Sequence, residues 1–358
     1  VSARHPFTPE LLGRCISCGF CLPACPTYTL TKDEAASPRG RINLMRALQT
    51  GSLPLDDPQL SEQASFCLGC RACEVVCPAG VQYGELLEEW RDVQWRGRRR
   101  PLLARLLMLA IGRPWRVRML GSARRHARTK PGPGPGPHLM LGCFERVLYP
   151  GVSRAARKLR PALAATPAQG CCGALHAHNG DLARGRAMAA QLGDRLPGTI
   201  VTTSGGCAAH LAAVLGRERV RELSEYLGRA EPAAASRPTP VQPDGRRLRV
   251  TLQDSCHLRN GLGVWQEPRR LLRQAADYVE LPGADTCCGA AGSYALLRAK
   301  DSKRVLSPKL DAIEAAGVDY VVVVNPGCYR QLATGLRRRR SPVRVIHLAE
   351  LLAGERDR

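Results

Sequence analysis

Two stretches of the chain alternate short β-branched runs with segments of helical character. Residues 138–143 (HLMLGC) and 249–256 (RVTLQDSC) each read as a short apolar strand ending in a cysteine. Residues 199–207 (TIVTTSGGC) and 321–328 (VVVVNPGC) read as β-branched strands running into a Gly-Cys turn. Segments 181–195 and 300–316 between them read as helices. Each stretch also carries Cys-Cys-Gly, at 171–173 and at 287–289, so one unit is written twice. Strands alternating with helices predict parallel α/β layers, with the cysteines at strand ends, where open sheets carry their sites.

The region before them reads as mainly helical. Asp57-Pro58 is a cap followed by a first-turn proline, and residues 85–95 are polar with apolar spacing. The apolar stretch 102–120 is broken by Arg105, Arg113, Pro114, Arg116 and Arg118. It is too interrupted to span a bilayer. A core helix pair is the favoured reading over an interfacial helix on a membrane surface. Residues 130–137 (KPGPGPGP) form an extended spacer, and 231–246 a softer Pro/Ala/Ser-rich linker.

Charge adds a question. The 358 residues include 53 basic and 31 acidic side chains, a net +22 that is almost all arginine. Such a balance suits nucleic acid, an acidic partner or an anionic membrane, or else arginines spread over solvated faces. Aromatics make up only 4% of the chain, which weakens any base-stacking reading, and no helix-turn-helix or RNA-binding aromatic motif is visible. Nucleic acid is therefore not the expected partner.

The 16 cysteines change the picture more. Residues 1–14 contain no apolar signal-peptide core, so a reducing, cytoplasmic setting is expected, with cysteines as metal ligands. Cys15-x-x-Cys18-x-x-Cys21-x-x-x-Cys25-Pro26 recurs as Cys67-x-x-Cys70-x-x-Cys73-x-x-x-Cys77-Pro78. Three thiolates two residues apart wrap three corners of a cubane, while the fourth points away to a second cluster, as in bacterial two-cluster ferredoxins. The expected ligands are Cys15, Cys18, Cys21 and Cys77 for one [4Fe-4S] cluster, and Cys67, Cys70, Cys73 and Cys25 for the other. Zinc is the competing reading, and two complete runs with their prolines make it weak. Helices are expected between the runs. Arg39 and Arg41 lie there, either near a cluster or in an exposed turn. Thiolate ligation lowers the net charge to about +18.

Cys143, Cys171, Cys172 and Cys207 form a third set, and Cys256, Cys287, Cys288 and Cys328 a fourth. Either set suits a further iron–sulfur cluster or zinc. His210, His257, His176 and His178 are candidate extra ligands or proton donors, with hydrogen-bonding histidines at strand ends the favoured reading.

The doubled Cys…Cys-Cys-Gly…Cys pattern resembles the cysteine-rich (CCG) domain of heterodisulfide reductase-type proteins. Joined to two ferredoxin runs, and with residues 171–178 (CCGALHAH), 287–294 (CCGAAGSY) and 37–42 (SPRGRI), it resembles the glycolate oxidase iron–sulfur subunit family. Relatives of that family include subunits of heterodisulfide reductase and of anaerobic glycerol-3-phosphate dehydrogenase. One departure from the heterodisulfide pattern is the loss of a fifth cysteine per half, where Ser204 and Asn325 stand. That loss speaks against five-thiolate non-cubane clusters and against disulfide reduction.

The resemblance implies an α/β chain: a helical ferredoxin-like domain (1–95), a basic segment and spacer (96–137), a first cysteine-rich half (138–230), a linker (231–246) and a second half (247–358). It implies an electron-transfer subunit serving a flavoprotein (FAD) dehydrogenase that oxidises glycolate, with quinone or another carrier as acceptor. Peripheral association with the inner face of the cell membrane accompanies that reading. No Gly-x-Gly-x-x-Gly fingerprint is present, so the flavin is expected in a partner and the isolated chain is expected to be inactive on the hydroxy acid. A glycerol-3-phosphate or lactate dehydrogenase subunit and a disulfide-reducing enzyme are the alternatives.

Overall fold

The structure is a computed structural model that describes residues 6–111, 137–166, 169–229 and 245–355. Residues 112–120 of the apolar stretch, nearly all of the Pro/Gly spacer and most of the 231–246 linker lie outside these residues.

Residues 6–111 are helical, as the sequence predicts. The principal helices are α1 (Pro38–Gln49), α2 (Pro58–Phe66), α3 (Tyr83–Gln94) and α4 (Leu102–Ile111). Asp57 caps α2 through Oδ1, which accepts from Gln59 N at 2.8 Å, with Pro58 in the first turn. Ser37-Pro38 starts α1 in the same way, Ser37 Oγ accepting from Gly40 N at 2.9 Å. The segment holding Arg39 and Arg41 is thus the start of a helix and not an exposed turn. The core of this region gathers Phe7, Met45, Leu60, Leu86 and Trp90.

The described part of the 102–120 stretch, α4, differs from the core helix expected. It buries Ala104 and Met108 but leaves Leu102, Leu103, Leu106 and Leu109 exposed.

The two later stretches are parallel sheets wrapped by helices. The first has β1 (His138–Met140), β2 (Ile200–Thr202) and β3 (Val220–Glu222) in the order β1-β2-β3. The second has β4 (Arg249–Leu252), β5 (Asp277–Tyr278), β6 (Tyr320–Val323) and β7 (Arg344–His347), ordered β5-β4-β6-β7. All pairings are parallel. Strand β6 (YVVV) is buried at every position, as a central parallel strand covered on both faces must be. The helices that position cysteines are α5 (Leu182–Arg195), α6 (Gly205–Leu215), α7 (Cys256–Leu262), α8 (Ala299–Ala315) and α9 (Pro326–Arg339). A shared core, including Leu139, Val201, Val250 and Val322, joins the two sheets.

Candidate functional site

The two ferredoxin-type runs have the same backbone. The left-handed positions fall at Ser17 (φ 59°) and Gly19 (φ 88°) in one, and at the equivalent Gly69 (φ 62°) and Arg71 (φ 60°) in the other. Non-glycine residues rarely adopt this conformation, so its repetition reflects what a loop wrapped around a compact group demands.

Cys15, Cys18, Cys21 and Cys77 line one cavity. Cys25, Cys67 and Cys70 line a second, and Cys73 and Tyr83 border both. The fourth cysteine of each run therefore sits with the first three of the other. The first cavity lies at the surface, with Cys18 exposed and Ile16 and Phe20 about its mouth, 68% and 65% exposed. The cysteines of the second are set deeper, and Cys25, Cys67, Cys70 and Cys73 are all buried.

The walls of the second cavity fit an anionic sulfur-rich group. Arg41 is fully buried and borders it. Its Nη2 donates to Gln63 Oε1 at 3.2 Å and its Nη1 to Cys25 Sγ at 3.9 Å. Arg41 Nε and Tyr83 Oη have no partner within the protein, a costly state for buried donors that nothing in the cavity receives. Burial works against the Arg41 charge, but Cys67, Tyr83 and Cys25 outweigh it and hold its pKa above the usual range. Burial pushes the Cys70 and Cys73 thiols well up, so they ionise only against a compensating cation, as metal ligation supplies. Arg39 borders the first cavity and donates to Ser17 O at 3.0 Å and to Glu34 at 2.7 Å.

The two cysteine-rich sites repeat one another closely. Cys143 meets Cys171, and Cys172 meets Cys207, each at 3.4 Å. Cys288 meets Cys328 at 3.3 Å. The glycine of each Cys-Cys-Gly is left-handed, Gly173 at φ 85° and Gly289 at φ 81°. Its N–H turns back onto the first cysteine, Gly173 to Cys171 Sγ at 3.5 Å and Gly289 to Cys287 Sγ at 3.4 Å. A Cβ at Gly173 would overlap the Gly185 carbonyl of α5, and one at Gly289 would lie 2.7 Å from the Ser302 carbonyl of α8. Cys207 and Cys328 are not in the open turns that the sequence suggests but in the first turns of α6 and α9. Cys256 begins α7. Helix N-termini favour the negative charge of a ligating thiolate. Hydrogen bonds from Cys143 and Cys172 hold the Cys171 thiol well below its usual range, while Cys143 and Cys172 are pushed up. The sulfurs meet in pairs, and among the described residues no group of three or more His, Cys, Asp or Glu is arranged to hold a single metal ion.

Ser204 and Asn325, the positions of the missing fifth cysteines, face each other. Ser204 Oγ donates to Asn325 Oδ1 at 2.9 Å, and Asn325 Nδ2 donates to Cys328 Sγ at 3.8 Å.

Cysteines of the ferredoxin-like region and of the second half share one core. Cys70 and Cys287 pack there with Phe66, Leu68 and Tyr294, and Cys256 lies against it. Asn260 Nδ2 donates to Cys70 O at 2.9 Å.

The histidines gather at the junction of all three regions. The His178 ring lies 5.2 Å from that of His257 and 6.4 Å from that of His210. Each also has a local partner. His210 Nε2 lies 3.2 Å from Gly185 O, His176 Nδ1 lies 3.4 Å from Asp181, and His257 Nδ1 lies 3.7 Å from Cys256 Sγ. His178 pairs with Glu88 of α3 at 2.9 Å. Burial would raise the Glu88 carboxyl, but His178 outweighs it and brings it to about 2. The sequence does not single out Glu88, and its place on the polar side of an amphipathic helix is the only signal it carries.

Comparison with known proteins agrees with this architecture. Residues 11–81 match the 4Fe-4S dicluster domain, and residues 138–212 and 250–333 each match the cysteine-rich domain. The probable glycolate oxidase iron–sulfur subunit of Bacillus subtilis (strain 168) is 32% identical, covering 96% of this chain and 93% of that protein. The chain belongs to the glycolate oxidase iron–sulfur subunit family. The glycolate oxidase iron–sulfur subunit of Escherichia coli (strain K12) is 30% identical over 94% of this chain and 93% of its own length. A fumarate reductase (CoM/CoB) subunit of Methanothermobacter marburgensis is 27% identical over 96% of this chain and 72% of that protein. Family membership makes the chain an iron–sulfur protein of the oxidoreductase class.

Proposed function

We propose that the chain is the iron–sulfur electron-transfer subunit of a flavin-dependent 2-hydroxyacid dehydrogenase, with glycolate as the substrate of the complex. It takes electrons from a flavoprotein (FAD) dehydrogenase subunit and passes them towards a quinone or another acceptor. The carrying observation is the pair of cysteine cavities, one with Cys18 exposed and one with all its cysteines buried, the second joined through Cys70 to Cys287 and Cys256. The two relatives named for glycolate oxidase, each matched over nearly its whole length, supply the substrate.

In this reading Cys15, Cys18, Cys21 and Cys77 hold one [4Fe-4S] cluster, and Cys67, Cys70, Cys73 and Cys25 the other. A bound cluster supplies one-electron redox chemistry. The chain's own residues do the rest. Left-handed Ser17 and Arg71 shape the ligand loops, and Arg41 and Tyr83, which border the second cavity, bring buried donors that have no partner within the protein. Burial of the second set excludes water. The eight cysteines of the two halves hold a further iron–sulfur cluster or zinc. The chain divides into 1–95, 96–137, 138–230, 231–246 and 247–358.

Anaerobic quantification of iron, sulfide and zinc, with EPR, tests the cofactor assignment. About eight irons per chain is the result expected for the two ferredoxin-type clusters alone, and about twelve to sixteen if the halves are loaded as well. Far fewer than eight overturns the assignment. The functional reading predicts a brown, reducible chain that does not oxidise glycolate until its flavoprotein is added. Glycolate turnover by the flavin-free chain overturns that division of labour. A reconstituted complex that oxidises lactate or glycerol 3-phosphate but not glycolate reassigns the substrate.

A further inference from the structure

Helix α4 carries an apolar stripe where a surface helix ought to be polar. Ala104 and Met108 face inward, and half-buried Leu107 packs on the core that contains Cys143, Cys171 and Cys172. On the outer side Leu102, Leu103, Leu106 and Leu109 are 67%, 51%, 53% and 58% exposed. Their spacing puts them on one face. Single exposed leucines are ordinary, but a row of four is an interaction surface.

The surrounding charge says what covers it. From residue 93 to residue 144 the chain has eleven arginines, one lysine and no aspartate or glutamate, which is more than half of its net +22. Arg99 and Arg105 are exposed beside and on α4, and Arg96 is exposed but paired with Asp92 at 3.0 Å. A nucleic acid backbone would answer the arginines but leave the leucines in water. An anionic bilayer answers both, the leucines entering the acyl boundary and the arginines meeting headgroup phosphates. At ten residues α4 is too short to cross, and among the described residues no helix is long and apolar enough to do so.

We propose that α4 and its arginines dock the protein on an anionic membrane surface, helix axis in the plane of the bilayer. Because Leu107 rests on the core of the first cysteine set, docking holds that half against the membrane. The proposal concerns surface binding and does not depend on the electron-transfer reading.

The test is flotation of the full, cluster-loaded chain with vesicles of phosphatidylglycerol and phosphatidylcholine in equal parts, against phosphatidylcholine alone. The wild type should partition onto the anionic vesicles at least about tenfold better, and lose that preference as salt shortens the screening length. The double variant Leu103→Ser/Leu106→Ser should bind about tenfold less, and Arg99→Glu/Arg105→Glu should fall similarly at low salt. The visible spectrum and melting temperature of each variant report folding. A wild type that ignores anionic vesicles, or a folded leucine variant that binds as well as wild type, overturns the proposal. Leucine substitution that abolishes self-association while vesicle binding persists assigns the stripe to a second copy and also overturns it.

Discussion

The two cysteine-rich halves are alike where they touch sulfur and unlike nearly everywhere else. Both place a left-handed glycine after the paired cysteines, and both start a helix at the last one. Around that shared frame the first half buries carboxyls among hydroxyls: Glu145 accepts from Ser153 and Thr203, and Glu222 from Ser224. The second half instead locks its buried Asp254 between Arg269 and Arg259, at 2.8 Å each. The second half packs Cys287 beside Cys70, while the first packs its cysteines on Leu107 of α4. Duplication has kept the geometry the sulfurs need and let the surroundings diverge. Both copies touch the ferredoxin-like region, but the cysteines of the second meet Cys70 there, while those of the first meet the inner side of α4.

The largest effect should come from the shared glycines. Gly173→Ala and Gly289→Ala combine a forbidden backbone with a clash, and each should destabilise its half by about 3 kcal/mol or more. Gly173→Ala should be the worse, because its Cβ overlaps the Gly185 carbonyl more deeply than Gly289's approaches Ser302. Thermal unfolding ranks the two, and equal tolerance of both would undo the claim that the halves share a sulfur-binding frame.

A smaller effect should separate the halves by pH. Burial pushes Glu145 and Glu222 up to about 7, so the folded first half binds more protons than the unfolded chain as pH rises from about 4.5 to 7. Its stability is therefore fully present below that window and falls through it, by about 3 kcal/mol per carboxyl at most. Amide exchange should show the β1–β3 sheet losing protection between pH 5 and pH 8, more than the β4–β7 sheet does, in values corrected for intrinsic rates. Glu145→Gln should flatten that slope. Protection of β1–β3 that rises with pH would contradict the burial argument.

The smallest effect sharpens the contact between the halves. Ser204→Ala and Asn325→Ala should each cost about 1 kcal/mol, and the double variant less than their sum, as for a buried hydrogen bond. Strict additivity in chemical denaturation would show that the two positions do not act on each other.

The cysteine runs, the repeat and the helices between the runs were legible because ligand spacing and strand-helix alternation are local. Strands β3, β5 and β7 were not: all the strands are short, and these three lead to no cysteine of the repeat that would mark them. The start of α1 was legible in principle, since Ser37-Pro38 obeys the same capping rule as Asp57-Pro58. The sequence left Arg39 and Arg41 either near a cluster or in an exposed turn, and the helix start sets them on the two cysteine cavities. The Glu88–His178 pair could not be read at all, because only the packing of α3 on the first half brings the two residues together. The exposed leucines of α4 show the opposite failure, an apolar run assigned to the core although its arginines already gave it a wet side.

The Ser204–Asn325 hydrogen bond has an evolutionary meaning. Loops of a duplicated domain ordinarily drift apart, each answering only to its own copy. Here the two equivalent loops touch at equivalent positions, so a change at one alters the partner of the other. Restoring a single cysteine would place a thiol opposite an amide and gain one extra thiol without its counterpart. A fifth cysteine introduced in one half therefore calls for a matching change in the other.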